Sequence, residues 1–542
     1  MLLYGALSGP LPKLGVVAVA LLAAVVMLHR EARVQAVATL AALVLSPVLL
    51  LAAIWHSPQL GVVHRHPLFA VVGAIVAVGV VMAAAVVVGR RPALLAGAVL
   101  VALPFRIPIQ AGGTTANLLV PLYFVVAAGS VAFIFQTLRP GATDAPDTDH
   151  KAAPDTDHKV ASDGDLKPGS ATDHSDHTAP AVGPARWLER LLAAYVVLYG
   201  LQAAYSPSFQ AALQNMVFFY VPFALAYCVL RRMDWTPRLT KTCLVLIAGL
   251  AVLFALVGFV EYATKTIFLN PKLIAANANH AYFAVNSVFF DSNIFGRFMA
   301  LVMVLLGAVL LYARSRRTLL GTLAVLAITW VGLVLAVSGS SLGALLVGLG
   351  TLAALRWKVG RAVFAAVGVV AVAAAAVAVT PTTFGLNQGL NGASRGRAGL
   401  VNGGLDLFAE RPIWGYGSAS FETEYGKRHH ALGETTSASH TIPITIAAEQ
   451  GLIGEIAYIA LVLAALVTLL RGARADPARV AVAGAFVALL FHTLLYADFL
   501  EDPITWTLLA IGAALARQAP LALSAPGSDL LGRGRRLQRQ LA

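Results

Sequence analysis

The stretch from Arg397 to Gly454 contains the residues of this chain that are best suited to chemistry. It begins RAGLVNGGLDLFAERPIWGYGSASF and ends HTIPITIAAEQGLIG, so polar, aromatic and charged residues occur together in it. The guanidinium of Arg397 stays protonated and can contact an anion through parallel hydrogen bonds. The imidazole of His440 can accept a proton near neutral pH. A polar segment of about 60 residues between apolar runs is therefore the candidate for the chemistry.

The composition around this segment is that of a membrane protein. Hydrophobic residues make up 58% of the chain, charged residues 12%, and the mean hydropathy is +0.78, which excludes a water-soluble domain of this size. The sequence predicts an all-α, polytopic integral membrane protein with about 14–15 transmembrane helices. Apolar runs long enough for such helices lie at 14–28, 34–55, 67–88, 92–104, 115–137, 188–205, 212–230, 241–260, 293–313, 318–337, 341–355, 362–379, 453–470, 478–497 and 503–517.

The distribution of Lys and Arg predicts the orientation of these spans. Most of the 39 basic residues fall on one face when the spans alternate, and basic residues are retained on the cytoplasmic side. Residues 380–440, between the twelfth and thirteenth spans, then form a large external loop. The net charge of +13 is mostly explained by this topology, in which basic residues face anionic lipid headgroups, so nucleic acid is not implied as a partner.

A second external loop, 261–293, precedes the ninth span and could cover a cavity together with loop 380–440. Arg297 lies one turn into that span, after Asn293, where a charge is costly unless it faces a wet cavity or a partner. The alternative is that Arg297 extends to the interface or pairs with Asp291 or Glu261.

The chain divides into five regions by composition. Residues 138–186 are too polar to offset the entropy of ordering, and they contain APDTDHK at 145–151 and again at 153–159, so a disordered cytoplasmic linker is expected. The regions are N-terminal transmembrane helices at 1–137, the linker at 138–186, central transmembrane helices and an external loop at 187–288, a catalytic region at 289–518, and a basic cytoplasmic tail at 519–542.

The order and spacing of several motifs resemble the O-antigen ligase and O-antigen polymerase (Wzy-type) superfamily of bacterial envelope glycosyltransferases. FFDSNIFGRFMALVM at 289–303 is similar to the start of a span in that family, and SGSSLGALLVGL at 338–349 is similar to its Ser-rich hairpin. The central motif residues are Arg397, Val401, Pro412, Gly415, Gly417, Phe421, His440, Thr441, Glu449, Gly451 and Gly454. Val401 stands where the family usually has Trp, and Thr441 where it usually has Asn.

The resemblance implies a GT-C-like enzyme that moves a glycan from a polyprenyl-pyrophosphate donor to an acceptor hydroxyl. The acceptor would be a glycan, a glycolipid or a protein, and the active site would face outward from the bacterial cytoplasmic membrane. The family is regarded as inverting and metal-independent, and no metal site or cofactor is expected here. An outward Arg would stabilise the pyrophosphate, and a His would deprotonate the acceptor.

These roles fall on particular residues. The catalytic candidates are His440, Arg397 and Glu449, and the substrate-binding candidates are Arg297, Arg395, Arg411, Asn293, Gly415 and Gly417.

Each role has a simpler alternative. Arg397 could cap a helix or bind lipid phosphate, and His440 could be an interfacial residue without chemistry. Glu449 could hydrogen-bond to Arg397 or His440, or only cap a helix. Gly415 and Gly417 could serve backbone turns and close packing instead of phosphate binding.

A transporter or flippase of lipid-linked saccharides is the alternative function. It would also need many spans and external arginines, but repeated half-chains with interrupted helices are expected of transporters, and the sequence shows no such symmetry. Within the enzyme class, nothing in the sequence separates a ligase from a polymerase or a protein O-glycosyltransferase.

Overall fold

The protein is described from a computed structural model, which covers residues 9–55, 64–111, 114–139, 183–268, 271–278, 282–357, 360, 397–429 and 439–518. These residues are almost entirely helical. One antiparallel hairpin of two strands, β1 (Ile107–Ala111) and β2 (Thr114–Leu118), interrupts the helices, with Ile107 paired to Leu118. The predicted linker, the run 362–379, Arg395 and the basic tail lie outside the described residues, apart from the linker's ends at 138–139 and 183–186.

The first half of the described chain contains ten helices. They are α1 (Pro10–Leu28), α2 (Ala32–Ile54), α3 (Pro67–Arg90), α4 (Ala93–Ala102), α5 (Val120–Leu138), α6 (Pro184–Ala203), α7 (Phe209–Asn215), α8 (Val221–Arg231), α9 (Pro237–Thr264) and α10 (Pro271–Ala278). A π-helical turn, Met216–Tyr220, joins α7 to α8, so the segment 209–231 crosses as one unit.

The second half carries the motif region. Its described helices are α11 (Ser292–Tyr312), α12 (Arg316–Leu335), α13 (Gly339–Arg356), α14 (Arg397–Glu410), α15 (Phe421–His429), α16 (Ile442–Leu470), α17 (Pro477–Thr493) and α18 (Pro503–Arg517), with a short 3₁₀ turn at Ala473–Ala475. Helix α16 is interrupted at Gly451, whose φ of 65° is not helical.

Length and composition confirm the all-helical, multi-pass membrane class. Ten helical segments of the described chain are long and apolar enough to cross a membrane, and α4, α17 and α18 are shorter apolar helices. The span predicted at 453–470 corresponds to the part of α16 after the break at Gly451, and a further helical part, from Ile442, precedes the break. Helix α3 is apolar along its whole length yet buries only Ala85, as expected where the surrounding solvent is lipid.

Helix α11 lies at the centre of the second half and packs against α12, α13 and α17. Small residues allow close approach there: a Cβ added to Gly348 would lie 2.5 Å from Val304 Cγ2 and 3.3 Å from the Gly484 carbonyl oxygen. Close helix contact through small residues is how membrane helices associate without a hydrophobic driving force between them.

The two ends of the bundle differ in chemistry. At one end, basic side chains lie close together: Arg231 forms an ion pair with Glu189, and Arg517 donates to the Arg231 carbonyl oxygen. At the other end lie the N-termini of α11, α13, α16 and α18 and the loop 494–502 between α17 and α18. This second end, called the polar end below, contains the motif residues.

Candidate active site

The loop 411–421 and the break in α16 form one interlocked backbone unit. Gly417 N–H donates to the Glu449 carbonyl oxygen at 2.7 Å, and Leu452 N–H donates to the Pro412 carbonyl oxygen at 2.7 Å. Gly415 has a φ of 65°, and a Cβ there would lie 2.3 Å from the Glu449 carbonyl oxygen. Gly451 lies on the other side of the same contact, and a Cβ added to it would lie 2.4 Å from the Ile413 carbonyl oxygen. These glycines are therefore required by the close approach of two backbones; substrate contacts of Gly415 and Gly417 stay a prediction.

The Glu449 carboxylate accepts hydrogen bonds from the backbone of the same loop. It is buried, with Oε2 accepting from Ala419 N–H at 2.8 Å and Oε1 accepting from Phe421 N–H at 3.0 Å. Both oxygens thus satisfy backbone donors where the loop becomes α15. The geometry assigns Glu449 a structural contact, and its catalytic role stays a prediction.

Residues 202–206, at and just after the end of α6, support the loop from a distant part of the chain. Tyr205 Oη donates to the Trp414 carbonyl oxygen at 2.6 Å, and Ser206 Oγ donates to the Ser418 carbonyl oxygen at 2.7 Å. Gln202 Nε2 donates to the Gln450 carbonyl oxygen at 3.1 Å. The loop is fixed on both sides, because side chains of the residues 202–206 and Glu449 hold its main chain.

Arg428 joins α15 to α14. It donates from Nε to Glu410 Oε1 at 3.0 Å and from Nη1 to the Glu424 carboxylate at 3.2 Å. The hydrogen bonds from Arg428 lower the pKa of Glu410 to about 2. Arg411 lies over the Tyr416 ring at 4.4 Å, so its guanidinium packs on this same cluster.

His440 lies two residues before α16 in an unusual conformation. Its φ is 57°, which is uncommon outside glycine, and residues held this way occur often at functional sites. Ser439 fixes the turn, because Ser439 Oγ donates to the Thr441 carbonyl oxygen at 2.8 Å. His440 Nδ1 is buried and has no hydrogen-bond partner among the described residues.

Arg397 begins α14 and lies beside His440. Its Nη1 donates to the Leu495 carbonyl oxygen at 3.0 Å, which ties it to loop 494–502. Burial and the positive charge of Arg397 lower the pKa of His440 below its usual value. The two residues singled out from the sequence are therefore close enough to interact electrostatically.

Loop 494–502 contributes residues that the motif spacing did not reveal. The Tyr496 ring lies 5.9 Å from the ring of His440 and 5.5 Å from that of His492, and Tyr496 Oη donates to Asp291 Oδ2 at 2.9 Å. Asp291 and Asp498 partly offset the lowered pKa of His440 through their negative charges. The available signal was the acid-rich YADFLED between two apolar runs, on the face that the sequence predicts to be external.

Asp498 is a second residue with left-handed backbone at this site, with a φ of 69°. Burial raises the pKa of Asp498, while the positive charges of Arg106 and Arg297 oppose that rise. The candidate site thus contains a histidine near one arginine and two carboxylates.

Arg297 is enclosed in the protein. Its Nη2 pairs with Asp502 Oδ2 at 2.8 Å, and both side chains are almost fully buried. The partner is therefore neither Asp291, which caps α11, nor Glu261, which accepts backbone N–H groups of 268, 286 and 287. Arg297 Nε and Nη1 have no hydrogen-bond partner among the described residues, so its substrate role stays a prediction.

Asn293 connects α11 to the Ser-rich hairpin before α13. Its Oδ1 accepts from Ser338 Oγ at 2.8 Å, and its carbonyl oxygen accepts from Ser341 Oγ at 3.3 Å. Ser341 Oγ is also 3.3 Å from His492 Nε2. The polar residues of three helices are thus joined beneath the site. Substrate contact by Asn293 is untested.

In the described ranges, no group of three or more His, Cys, Asp or Glu residues is arranged to hold a metal ion.

Together, the fold and the polar end define a multi-pass, all-helical membrane protein with a charged site at one end of the bundle. Residues 324–459 match a family model described as O-antigen ligase. This match includes Arg397, His440, Glu449 and the glycine loop, and it confirms the resemblance to the O-antigen ligase and polymerase superfamily. No curated protein matches the chain. The matched residues lie within the predicted catalytic region 289–518.

Proposed function

We propose that this protein is an envelope glycosyltransferase that moves a glycan from a polyprenyl-pyrophosphate donor to an acceptor hydroxyl on the outer face of the cytoplasmic membrane. The reaction would be inverting and metal-independent, of the ligase or polymerase type. The observation that carries the proposal is that Arg397 and His440, both inside the region that matches the O-antigen ligase model, contact adjacent residues of loop 494–502, namely Leu495 and Tyr496.

His440 is suited to remove the acceptor proton. A neutral imidazole is needed for this step, and the lowered pKa keeps His440 neutral at pH 7. As the acceptor oxygen attacks the anomeric carbon, its proton passes to the imidazole, and the bond between that carbon and the phosphate oxygen breaks. The carboxylates of Asp291 and Asp498 then stabilise the imidazolium that forms.

Arg397 is suited to stabilise the leaving pyrophosphate. Negative charge develops on the phosphate oxygen as the glycosidic bond breaks, and a guanidinium offers several donors in a fixed plane. The hydrogen bond to the Leu495 carbonyl oxygen positions the Arg397 side chain next to His440. Arg411 and Arg395 remain further candidates for phosphate contact.

The charge distribution supports an outward site. The cluster of Arg231, Arg517 and Glu189 lies at the end opposite to His440, and a basic end is expected to face the cytoplasm. Donor, acceptor and site would then meet on the outer face.

Transfer can be tested with purified protein in lipid nanodiscs and a polyprenyl-pyrophosphate oligosaccharide. A lengthened lipid-linked glycan would identify a polymerase, and a glycan on another lipid or on a protein would identify a ligase. His440→Ala is expected to abolish transfer without loss of folding, with exposed His29→Ala at the basic end as its control. Full activity of His440→Ala would contradict the general-base role.

The phosphate role of Arg397 has a separate test. Arg397→Lys keeps the charge but removes the planar fork, so turnover should fall at least tenfold if the contact is bidentate. The matched control is Arg238→Lys, an exposed arginine in the first turn of α9. Turnover near that of the unchanged protein would show that charge alone is sufficient.

A further inference from the structure

A cavity lies at the polar end, between the C-terminal ends of α9 and α12, α10 and the loop that precedes α11. Its volume is about 510 Å³, within the range of small-molecule sites. Its lining residues are Tyr262, Lys265, Asn277, Tyr282, Phe283, Val334, Leu335 and Val337. No residue assigned above to catalysis is among them.

The walls of this cavity are held in place by buried hydrogen bonds. The fully buried Glu261 carboxylate accepts from Ser287 N–H at 2.7 Å, from Asn286 N–H at 3.1 Å and from Phe268 N–H at 3.3 Å. Val285 N–H donates to the Leu335 carbonyl oxygen at 3.1 Å, which joins the loop to α12. The cavity is thus preformed, so a ligand would not need to order it.

The wall on the α10 side is fixed in the same way. Asn277 Nδ2 donates to the Ala284 carbonyl oxygen at 2.9 Å, and Asn277 Oδ1 accepts from Ala284 N–H at 3.0 Å. This two-point contact joins α10 to the residue that follows Phe283. It therefore sets the position of the aromatic side of the cavity.

The lining combines aromatic faces with one ammonium group. Lys265 Nζ lies 3.5 Å from the ring centroid of Tyr262 and 5.0 Å from that of Phe283. Lys265 ends α9 in the left-handed region, with a φ of 55°, which directs the chain into the cavity wall. In the part of the chain that the structure describes, no acidic side chain forms a salt bridge with Lys265.

This lining fits a saccharide. A sugar ring has a face of C–H bonds that packs on an aromatic ring and hydroxyls at its edge that accept from an ammonium, and tyrosine offers both an apolar face and a polar tip. Lys265 is exposed, and an acyl chain that covered it would remove water from the ammonium without offering a hydrogen-bond acceptor, which is costly.

The loop that forms the cavity also leads to the candidate active site. It runs from Tyr282 and Phe283 at the cavity to Asp291, which accepts from Tyr496 beside His440. One loop at the polar end therefore connects the cavity to the candidate active site.

We propose that this cavity is a subsite for a saccharide unit of the glycan chain, distant from the bond that is made. The inference rests on the proposed transferase function, because it places the reacting end of the same glycan at His440. The Lys265 ammonium, held over the Tyr262 ring, donates to hydroxyl or carboxylate oxygens of the sugar, and the sugar ring packs on the aromatic side chains of the lining.

The test compares long and short substrates of one purified protein in nanodiscs. Tyr262→Ala and Lys265→Met should each raise KM about tenfold for a lipid-linked glycan of full length, with kcat changed less than twofold. A donor with a single sugar should show no change, because it does not reach the cavity. Varying donor and acceptor length separately identifies which glycan occupies the subsite.

The matched control is Phe268→Ala, an exposed aromatic residue close in sequence that does not line the cavity. If Tyr262→Ala and Lys265→Met raise KM equally for the single-sugar donor, the cavity holds the lipid carrier. If they leave KM unchanged for every substrate, the cavity holds no substrate. Either result overturns the inference.

A direct binding measurement separates this inference from the proposed function. Glycan released from the cell's own lipid-linked saccharide is titrated into the protein by calorimetry, without any transfer step. Binding that Tyr262→Ala weakens tenfold supports the subsite even if the unchanged protein transfers no glycan. The inference is contradicted if the unchanged protein does not bind the glycan. It is also contradicted if Tyr262→Ala and Lys265→Met leave the affinity unchanged.

Discussion

Replacing Glu449 by Gln separates a structural role from a catalytic one. The Glu449 carboxylate accepts one backbone N–H on each oxygen, at 2.8 Å from Ala419 and 3.0 Å from Phe421. A glutamine side chain is nearly the same size as a glutamate, but only one end of its amide can accept a hydrogen bond. The other end would present an N–H₂ group to a backbone donor, so one buried N–H would lose its partner.

The size of the effect follows from these two contacts. A hydrogen bond to a charged group contributes about 1.5–3 kcal/mol, and leaving a buried donor unsatisfied costs a similar amount. We expect Glu449→Gln to lower the free energy of unfolding by about 2–3 kcal/mol. The rate constant kcat of the folded protein should stay within about threefold, because the carboxylate contacts backbone and not the reacting groups.

Two measurements on detergent-purified protein test this expectation: thermal unfolding followed by tryptophan fluorescence, and kcat at saturating donor well below the unfolding temperature. Glu422→Gln is the control, because Glu422 lies on α15 nearby but is exposed, and its Tm should barely change. The reasoning would be refuted by a kcat that falls about a hundredfold while Tm stays unchanged, since that loss is typical of a missing acid or base.

Three further changes test the site and its support. The rate should fall with decreasing pH only below about 6.5, the ordinary pKa of histidine, because the pKa of His440 is lowered. Asp291→Asn should move this acidic limb to still lower pH, since it removes a negative charge that raises the pKa of His440; an unchanged limb would contradict the assignment. Asp502→Asn should cost about 3–5 kcal/mol in thermal unfolding, because it leaves the buried Arg297 charge unpaired. Gly451→Ala should reduce Tm and activity together, because the backbone at φ 65° and ψ −164° is strained by about 1–3 kcal/mol for alanine and the Cβ would meet the Ile413 carbonyl oxygen.

Matched controls exist for the last two substitutions. Asp476→Asn changes another buried Asp that caps a helix, through Ala478 N–H at 2.8 Å, without leaving a buried arginine unpaired. Gly350→Ala places a Cβ in α13 where no heavy atom lies within 4 Å. If Asp476→Asn lowers stability as much as Asp502→Asn does, the cause assigned to Asp502→Asn is wrong. The same holds for Gly350→Ala and Gly451→Ala.

Hydropathy was sufficient to predict the long apolar helices but not which of them pack against each other. The run 318–337 predicted the helix Arg316–Leu335, because a long apolar stretch in a membrane must satisfy its backbone internally. The hairpin at Ile107–Leu118 was not predicted, since it lies inside and beside runs that are apolar enough for helix.

The candidate site was predicted only in part, because its residues are distant in sequence. Arg397 and His440 could be selected from a single motif. The contact of Tyr496 with Asp291, and that of Arg297 with Asp502, each join residues about 205 positions apart. Local patterns carry no information on such pairs, because they depend on how the helices pack.

The support that residues 202–206 give to loop 411–421 has a consequence for the exposed surface of that loop. Tyr205 and Ser206 hold the loop only through its carbonyl oxygens, at Trp414 and Ser418. The side chains of Ile413 and Trp414 remain 57% and 60% exposed. Substitution at these two positions would therefore change the exposed surface of the loop while these main-chain hydrogen bonds are kept. Under the proposed function, the same framework could then serve different acceptors.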